Sequence, residues 1–107
     1  MQPSEMTEHR IPVRSSLEVD PDFQELLELF SVSIQETTEK LRTLLVASDM
    51  EQMQREAHKL KGAGGGYGFE GLTTEAAALE SACKVRDLDQ VRRTLDSLLN
   101  YVSRIEI

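Results

Sequence analysis

Apolar residues recur at helical spacing along most of this 107-residue chain, and they fall into four segments. In the first segment the recurring positions are Phe23, Leu26, Leu27, Phe30, Ile34, Leu41, Leu44 and Leu45. The four segments span approximately residues 20–47, 49–68, 71–84 and 88–105. No stretch shows the alternation of apolar and polar residues that is typical of a strand. Since short connections force neighbouring helices to run in opposite directions, the sequence predicts an all-α fold, an antiparallel up-down four-helix bundle.

Helix start signals mark the limits of this bundle. Asp20 precedes Pro21, which is typical of an N-cap followed by proline at the first helical position, and Asp87 stands at the start of the last segment. Residues 1–19 carry two of the three prolines and show no helical period. They are therefore predicted to form a loose N-terminal arm, and residues 20–107 are predicted to form the bundle.

The charge and composition of the chain argue against several classes of function. The formal net charge of −7 disfavours nucleic acid or an anionic membrane surface as the main partner. Cys83 is the single cysteine, and His9 and His58 lie far apart, so the sequence predicts neither a disulfide nor a metal site. No apolar run has the length of a signal peptide or a membrane span, so we expect a cytoplasmic protein, and a monomer.

The stretch from Ala57 to Phe69 is the candidate functional site. His58, Lys61 and Gly62 stand at i, i+3 and i+4, so on a helix they share one face. That face is predicted to be at least partly exposed, because the apolar positions of the segment lie on the other side. A histidine side chain is a nucleophile close to half-deprotonated at neutral pH, with an unperturbed pKa of about 6.5. A face that combines this nucleophile with the cation of Lys61 and the bare position at Gly62 is suited to carry a transferable phosphoryl group.

The neighbours of His58 have supporting roles in this hypothesis. Lys61 is placed to offset the charge of a phosphoryl group and to hold its oxygens. Glycine costs a helix interior about 1 kcal/mol relative to alanine, and access for a bulky partner is a reason to accept that cost. We therefore assign partner access to the bare positions Gly62 and Gly65, and docking to the flanking side chains Lys59, Arg55 and Gln54.

The same residues resemble the histidine-phosphotransfer (HPt) domain family of multistep phosphorelays. The resemblance rests on His58, Lys61, Gly62, Gly64 or Gly65, and Gly68, with apolar Leu60 and Phe69. It covers nearly all of the predicted bundle and implies a helical bundle whose histidine is phosphorylated on Nε2. It also implies a phosphocarrier, not an enzyme, that links a sensor histidine kinase or a receiver aspartate to a response-regulator receiver domain. No cofactor is implied for this chain, since the receiver is expected to supply Mg²⁺.

Other interpretations stay open at this point. One is a non-catalytic helical interaction module in which His58 is inert. Another is the phosphoacceptor module that opens chemotaxis kinases, which the stretch from Gly65 to Phe69 also resembles. A histidine-based hydrolase is disfavoured, because the only acid within one turn of His58 is Glu56, which is predicted to point elsewhere.

Overall fold

The computed structural model describes residues 11–17 and 21–106, and most of them lie in helices. A 3-10 turn at Pro21–Phe23 leads into four α-helices joined by short connections. They are α1 (Gln24–Val46), α2 (Met50–Gly66), α3 (Glu70–Val85) and α4 (Leu88–Ser103). Neighbouring helices run in opposite directions, and the described residues contain no strand. The predicted all-α antiparallel up-down bundle is therefore confirmed.

Two of the helices begin at aspartate caps. The Asp49 carboxylate accepts a hydrogen bond from the Gln52 amide at 3.1 Å, and the Asp87 carboxylate accepts one from the Gln90 amide at 3.2 Å. Each bond satisfies an amide for which the first turn of a helix offers no partner. The predicted cap at Asp20 lies outside the described residues.

The glycine-rich end of α2 stays helical through Gly66. The chain then turns at Gly68, whose φ of +82° lies in the left-handed region that glycine adopts without strain. Gly64 is buried against α3, and a Cβ there would lie 2.8 Å from the Thr73 amide nitrogen and 2.9 Å from the Phe69 carbonyl oxygen. Glycine at this position therefore allows α2 and α3 to pack closely along the flank of α2 that carries the candidate site.

The core is mostly aliphatic, with Phe30 and Phe69 as its buried aromatic residues, and every helix contributes to it. Its fully buried large side chains are Leu27, Ile34, Leu41, Met53, Phe69, Leu72, Leu79, Cys83, Val91, Leu95 and Leu98. One inner position is predicted wrongly, since Leu26 is 46% exposed. The reason is that α1 packs less extensively on the bundle than α2 and α3 pack on each other, which leaves part of its apolar surface uncovered. Within the described part of the chain, no helix has the length and apolar character needed to cross a membrane.

Residues 11–17 of the arm run along one end of the bundle. The backbone of Val13 makes two hydrogen bonds, of 2.6 and 2.8 Å, with the end of α4 and the segment that follows it. Ser15 is buried, and its hydroxyl donates to the Tyr67 carbonyl at 2.6 Å. The prediction of a loose arm does not hold for these residues, because backbone hydrogen bonds attach the segment and Val13 packs against the core. These contacts are too few to give the segment a helical period. Residues 1–10 and the predicted boundary with the bundle lie outside the described residues.

Candidate functional site

His58 lies on the outer face of α2, and a carboxylate of α3 holds it from one side. The histidine side chain is 68% exposed, in agreement with the exposure predicted from the helical spacing. Its ring atom Nδ1 lies 2.8 Å from Oε2 of Glu80, a residue that is only 6% exposed. The fold therefore fixes one edge of the imidazole and leaves the rest of the ring open to solvent.

The charge of Glu80 decides which ring nitrogen of His58 carries the hydrogen. The hydrogen bond from Lys61 lowers the pKa of the Glu80 carboxyl, burial raises it, and the hydrogen bond from His58 lowers it, with a net shift below the usual value. Glu80 is thus an ionised carboxylate at neutral pH, and a carboxylate can only accept hydrogen bonds. Nδ1 must then carry the hydrogen, so the lone pair of the neutral ring is on Nε2. Because the two nitrogens point in nearly opposite directions, that lone pair is directed away from Glu80.

Two lysines accompany this carboxylate. Nζ of Lys61, on the next turn of α2, donates to Oε1 of Glu80 at 3.0 Å. Nζ of Lys84, on the next turn of α3, lies 4.0 Å from Oε2, which is an ion pair without a hydrogen bond. One imidazole and two cations from two helices therefore converge on a single buried acid.

Part of the surface of α2 beyond His58 carries no side chain, because three exposed glycines form it. A Cβ at Gly62 or Gly66 would meet no neighbouring atom within 4 Å, and one at Gly65 would meet only the Thr73 hydroxyl at 3.9 Å. All three glycines are exposed, whereas Gly64 lies on the buried side of the helix. The positions assigned to partner access are thus open in the structure, and the bare surface extends to Gly66.

The side chains assigned to docking lie beside His58, with Gln54 and Arg55 on the preceding turn of α2 and Lys59 directly after the histidine. A recess of about 460 Å³ is lined by Gln54, Arg55, His58, Lys59, Glu80 and Lys84. Helical side chains lean toward the N-terminus of their helix, so the imidazole leans over this recess. The structure therefore brings Gln54, Arg55 and Lys59 together with His58, and it adds Glu80 and Lys84, which sequence reasoning missed.

The acid that contacts His58 is not the one that the sequence drew attention to. Glu56 does point elsewhere, as predicted: it is 7% exposed and pairs with Lys40 of α1 and with Lys59, each at 3.3 Å. The expectation that no acid is positioned against His58 is nevertheless wrong, because Glu80 reaches it from another helix, 22 residues further along the chain. The absence of a positioned acid therefore no longer argues against a histidine-based hydrolase.

A groove lies on the opposite flank of α2, between that helix and α1. Its volume is about 380 Å³, and the apolar side chains that line it are Leu29, Phe30, Ile34, Leu60, Ala63 and Tyr67. The rings of Phe30 and Tyr67 stack with centroids 4.3 Å apart, while Leu29 remains 64% exposed. Lys59 lines both this groove and the recess at His58, so the two depressions adjoin.

The sequence of the bundle matches a known family. A family model of the Hpt domain covers residues 25–106. The chain belongs to the Hpt domain family. Hpt domains serve histidine phosphotransfer in two-component phosphorelays, interact with kinases and response regulators, and are phosphocarriers rather than catalysts. Comparison with curated proteins and with solved structures gives no significant match.

Proposed function

We propose that His58 is the phosphoacceptor of this Hpt domain and carries the phosphoryl group on Nε2. The observation that supports this most directly is the hydrogen bond from Nδ1 to the buried carboxylate of Glu80. It leaves the lone pair of the neutral ring on Nε2, in an exposed position beside the bare surface at Gly62. An inert His58 would give no reason for a buried acid to hold an exposed imidazole in one orientation.

The pairing with Glu80 also accounts for the proton of the ring. When the Nε2 lone pair attacks the phosphorus of a donor aspartyl phosphate, the bond from phosphorus to the donor oxygen breaks and its electrons leave with the donor carboxylate. The ring then bears a phosphoryl group on Nε2 and a hydrogen on Nδ1, and it is cationic. The negative charge of Glu80 stabilises this imidazolium. When an acceptor aspartate takes the phosphoryl group, the electrons of the N–P bond return to the ring, so neither step requires a proton to enter or leave.

Lys61 is the proposed ligand of the phosphoryl oxygens. In the unphosphorylated protein its ammonium group lies on Glu80, one helical turn from His58, so a change of rotamer is enough to bring it toward Nε2. Phosphorylation of a side chain adds about 1.5 to 2 negative charges together with strong acceptor oxygens. This charge attracts the ammonium group and gives Lys61 a second partner in the phosphorylated state.

The proposed partner on this face is a response-regulator receiver domain, which supplies Mg²⁺ from its own acidic pocket. Gly62 and Gly65 would let its aspartate approach Nε2, while Gln54, Arg55 and Lys59 would meet the rim of that pocket. The apolar groove between α1 and α2 adjoins this face, and we assign it to an apolar helix of the same receiver. A sensor histidine kinase, or a second receiver, is the proposed donor. Since one chain contains every residue of this face, we expect a monomer, and we propose a cytoplasmic location for it.

Transfer of label from a phosphorylated receiver tests the central assignment. Wild type should acquire acid-labile, base-stable label, and His58→Gln should acquire none. His9→Gln is the matched control, because it removes the other of the two histidines, and it should be labelled like wild type. Label that persists in His58→Gln would exclude His58 as the carrier. Wild type that binds receivers without acquiring label would favour the inert interaction module.

A further inference from the structure

Glu80 has one cation in contact and a second one close by. Lys61 donates to Oε1 at 3.0 Å, while Lys84 stays 4.0 Å from Oε2, the oxygen that also accepts the His58 hydrogen bond. Lys84 follows Glu80 by four residues on α3, an arrangement in which a glutamate and a following lysine attract each other along a helix. The lysine therefore needs only a small movement to reach the carboxylate.

Phosphorylation of His58 would change what Glu80 requires. If Lys61 turns to the phosphoryl oxygens, the carboxylate loses the one hydrogen bond that a lysine or arginine of the described residues donates to it, although it stays buried. A phosphoryl group on Nε2 also adds negative charge to the same site. Within the part of the chain that the structure describes, the buried carboxylate would then keep only the phosphorylated ring as a hydrogen-bonded partner, so Glu80 would become more basic and would compete for the Nδ1 hydrogen of that ring.

That competition would affect the chemistry of the carrier. A phosphorylated ring that keeps its Nδ1 hydrogen is cationic, so it readily accepts the electrons of the N–P bond when the phosphoryl group leaves. A ring that gives this hydrogen to Glu80 is neutral and is a poorer leaving group. A cation that replaces Lys61 at Glu80 would therefore keep the phosphoryl group transferable.

We propose that Lys84 is this replacement: a positioning residue that closes on Glu80 when Lys61 turns to the phosphoryl group. The inference rests on the proposed function of His58. Among the described residues, the groups that face the Glu80 carboxylate are His58 and Lys61 from α2 and Lys84 from its own helix. Lys84 also lines the recess of about 460 Å³ beside His58, which gives its side chain room to reorient.

The test follows the titration of the His58–Glu80 pair in the free and the phosphorylated protein. NMR of the Glu80 carboxyl carbon and of the His58 ring nitrogens reports both members of the pair, and phosphoramidate serves as the phosphoryl donor. In the phosphorylated state, Lys84→Gln should shift the midpoint of the pair to higher pH relative to wild type. In the free state the shift should be much smaller, because Lys61 still contacts Glu80.

Two further variants separate this role from a general effect of charge. Lys84→Arg should restore the wild-type midpoint. Lys40→Gln removes a lysine that pairs with the other buried acid, Glu56, and should leave the midpoint unchanged in both states.

The outcomes separate this inference from the proposed function. If phosphoramidate leaves no phosphoryl group on His58 of wild type, both fail. If wild type is phosphorylated and Lys84→Gln titrates like it in both states, only the role of Lys84 is overturned. A shorter phosphohistidine lifetime in Lys84→Gln without a shift at Glu80 would also overturn it, because Lys84 would then bind the phosphoryl oxygens directly.

Discussion

Two buried glutamates flank α2, and they differ in what they hold. Glu80 lies between α2 and α3, and Glu56 lies between α2 and α1; they are 6% and 7% exposed. Each pairs with two lysines, which are Lys61 and Lys84 for Glu80, and Lys40 and Lys59 for Glu56. Only Glu80 also accepts a hydrogen bond from His58.

The comparison shows that burial and ion pairing alone do not mark a functional carboxylate. Glu56 is only two residues from His58 in the chain, but it lies on the other flank of α2 and serves to link that helix to Lys40 of α1. Glu80 is distant in the chain, but the packing of α3 carries it to Nδ1. Glu80 differs from Glu56 in its contact with the nucleophilic side chain of His58, whereas the two glutamates are alike in burial and in their lysine partners.

The largest expected difference between the two glutamates is in the rate of phosphotransfer after each is changed to glutamine. Glu80→Gln should slow phosphotransfer through His58 by about 10- to 100-fold, which is the usual contribution of a carboxylate that orients a metal-binding histidine. The physical reason is that a glutamine amide can donate to Nδ1, which would put the ring hydrogen on Nε2 and block the nucleophile. Glu56→Gln should transfer at nearly the wild-type rate. Rates of transfer from one phosphorylated receiver, with circular dichroism to check the fold, measure both.

Equal losses in the two variants would contradict this contrast. They would indicate that both acids act through the charge or the stability of the bundle. Unchanged transfer in Glu80→Gln would show instead that Nε2 needs no partner across the ring.

A smaller effect is expected from the lysines of the two acids. Lys61→Gln should shorten the phosphohistidine lifetime or slow transfer by roughly tenfold, since a hydrogen bond from a partly exposed lysine lies at the lower end, about 1.5 kcal/mol, of what a bond to a charged group contributes. Lys59→Gln is the matched control on the Glu56 side and should change the lifetime little. Lys61→Gln should also lower the thermal stability, because it removes the hydrogen-bonded cation of a buried carboxylate, whereas Glu56 keeps Lys40 when Lys59 is changed. Lifetimes are therefore compared well below the unfolding transition of both variants. A lifetime that responds to Lys59 but not to Lys61 would move the phosphate ligand to the groove side.

The sequence predicts the bundle well because each helix carries its own pattern. The third segment is predicted at residues 71–84, and the observed helix is Glu70–Val85. The exposure of His58 likewise follows from spacing within one helix. Glu80 could not be assigned to His58 in this way, because spacing within a helix does not fix the register between two helices. Its position on the apolar side of α3, between Leu79 and Cys83, was the available signal, since a buried acid requires a partner.

The smallest expected effect is on the pH dependence of folding. The pKa of Glu80 is lowered in the folded protein, chiefly by the hydrogen bond from Lys61. A carboxyl group with a folded pKa below its unfolded value of about 4.3 stabilises the fold above that value, and this stabilisation is lost as the pH falls through the folded pKa. Thermal unfolding from neutral pH down to about pH 3 should therefore show a steeper loss of stability in wild type than in Glu80→Gln. Parallel curves would show that Lys61 does not hold Glu80 in solution, and the contrast with Glu56 would then rest on the contact with His58 alone.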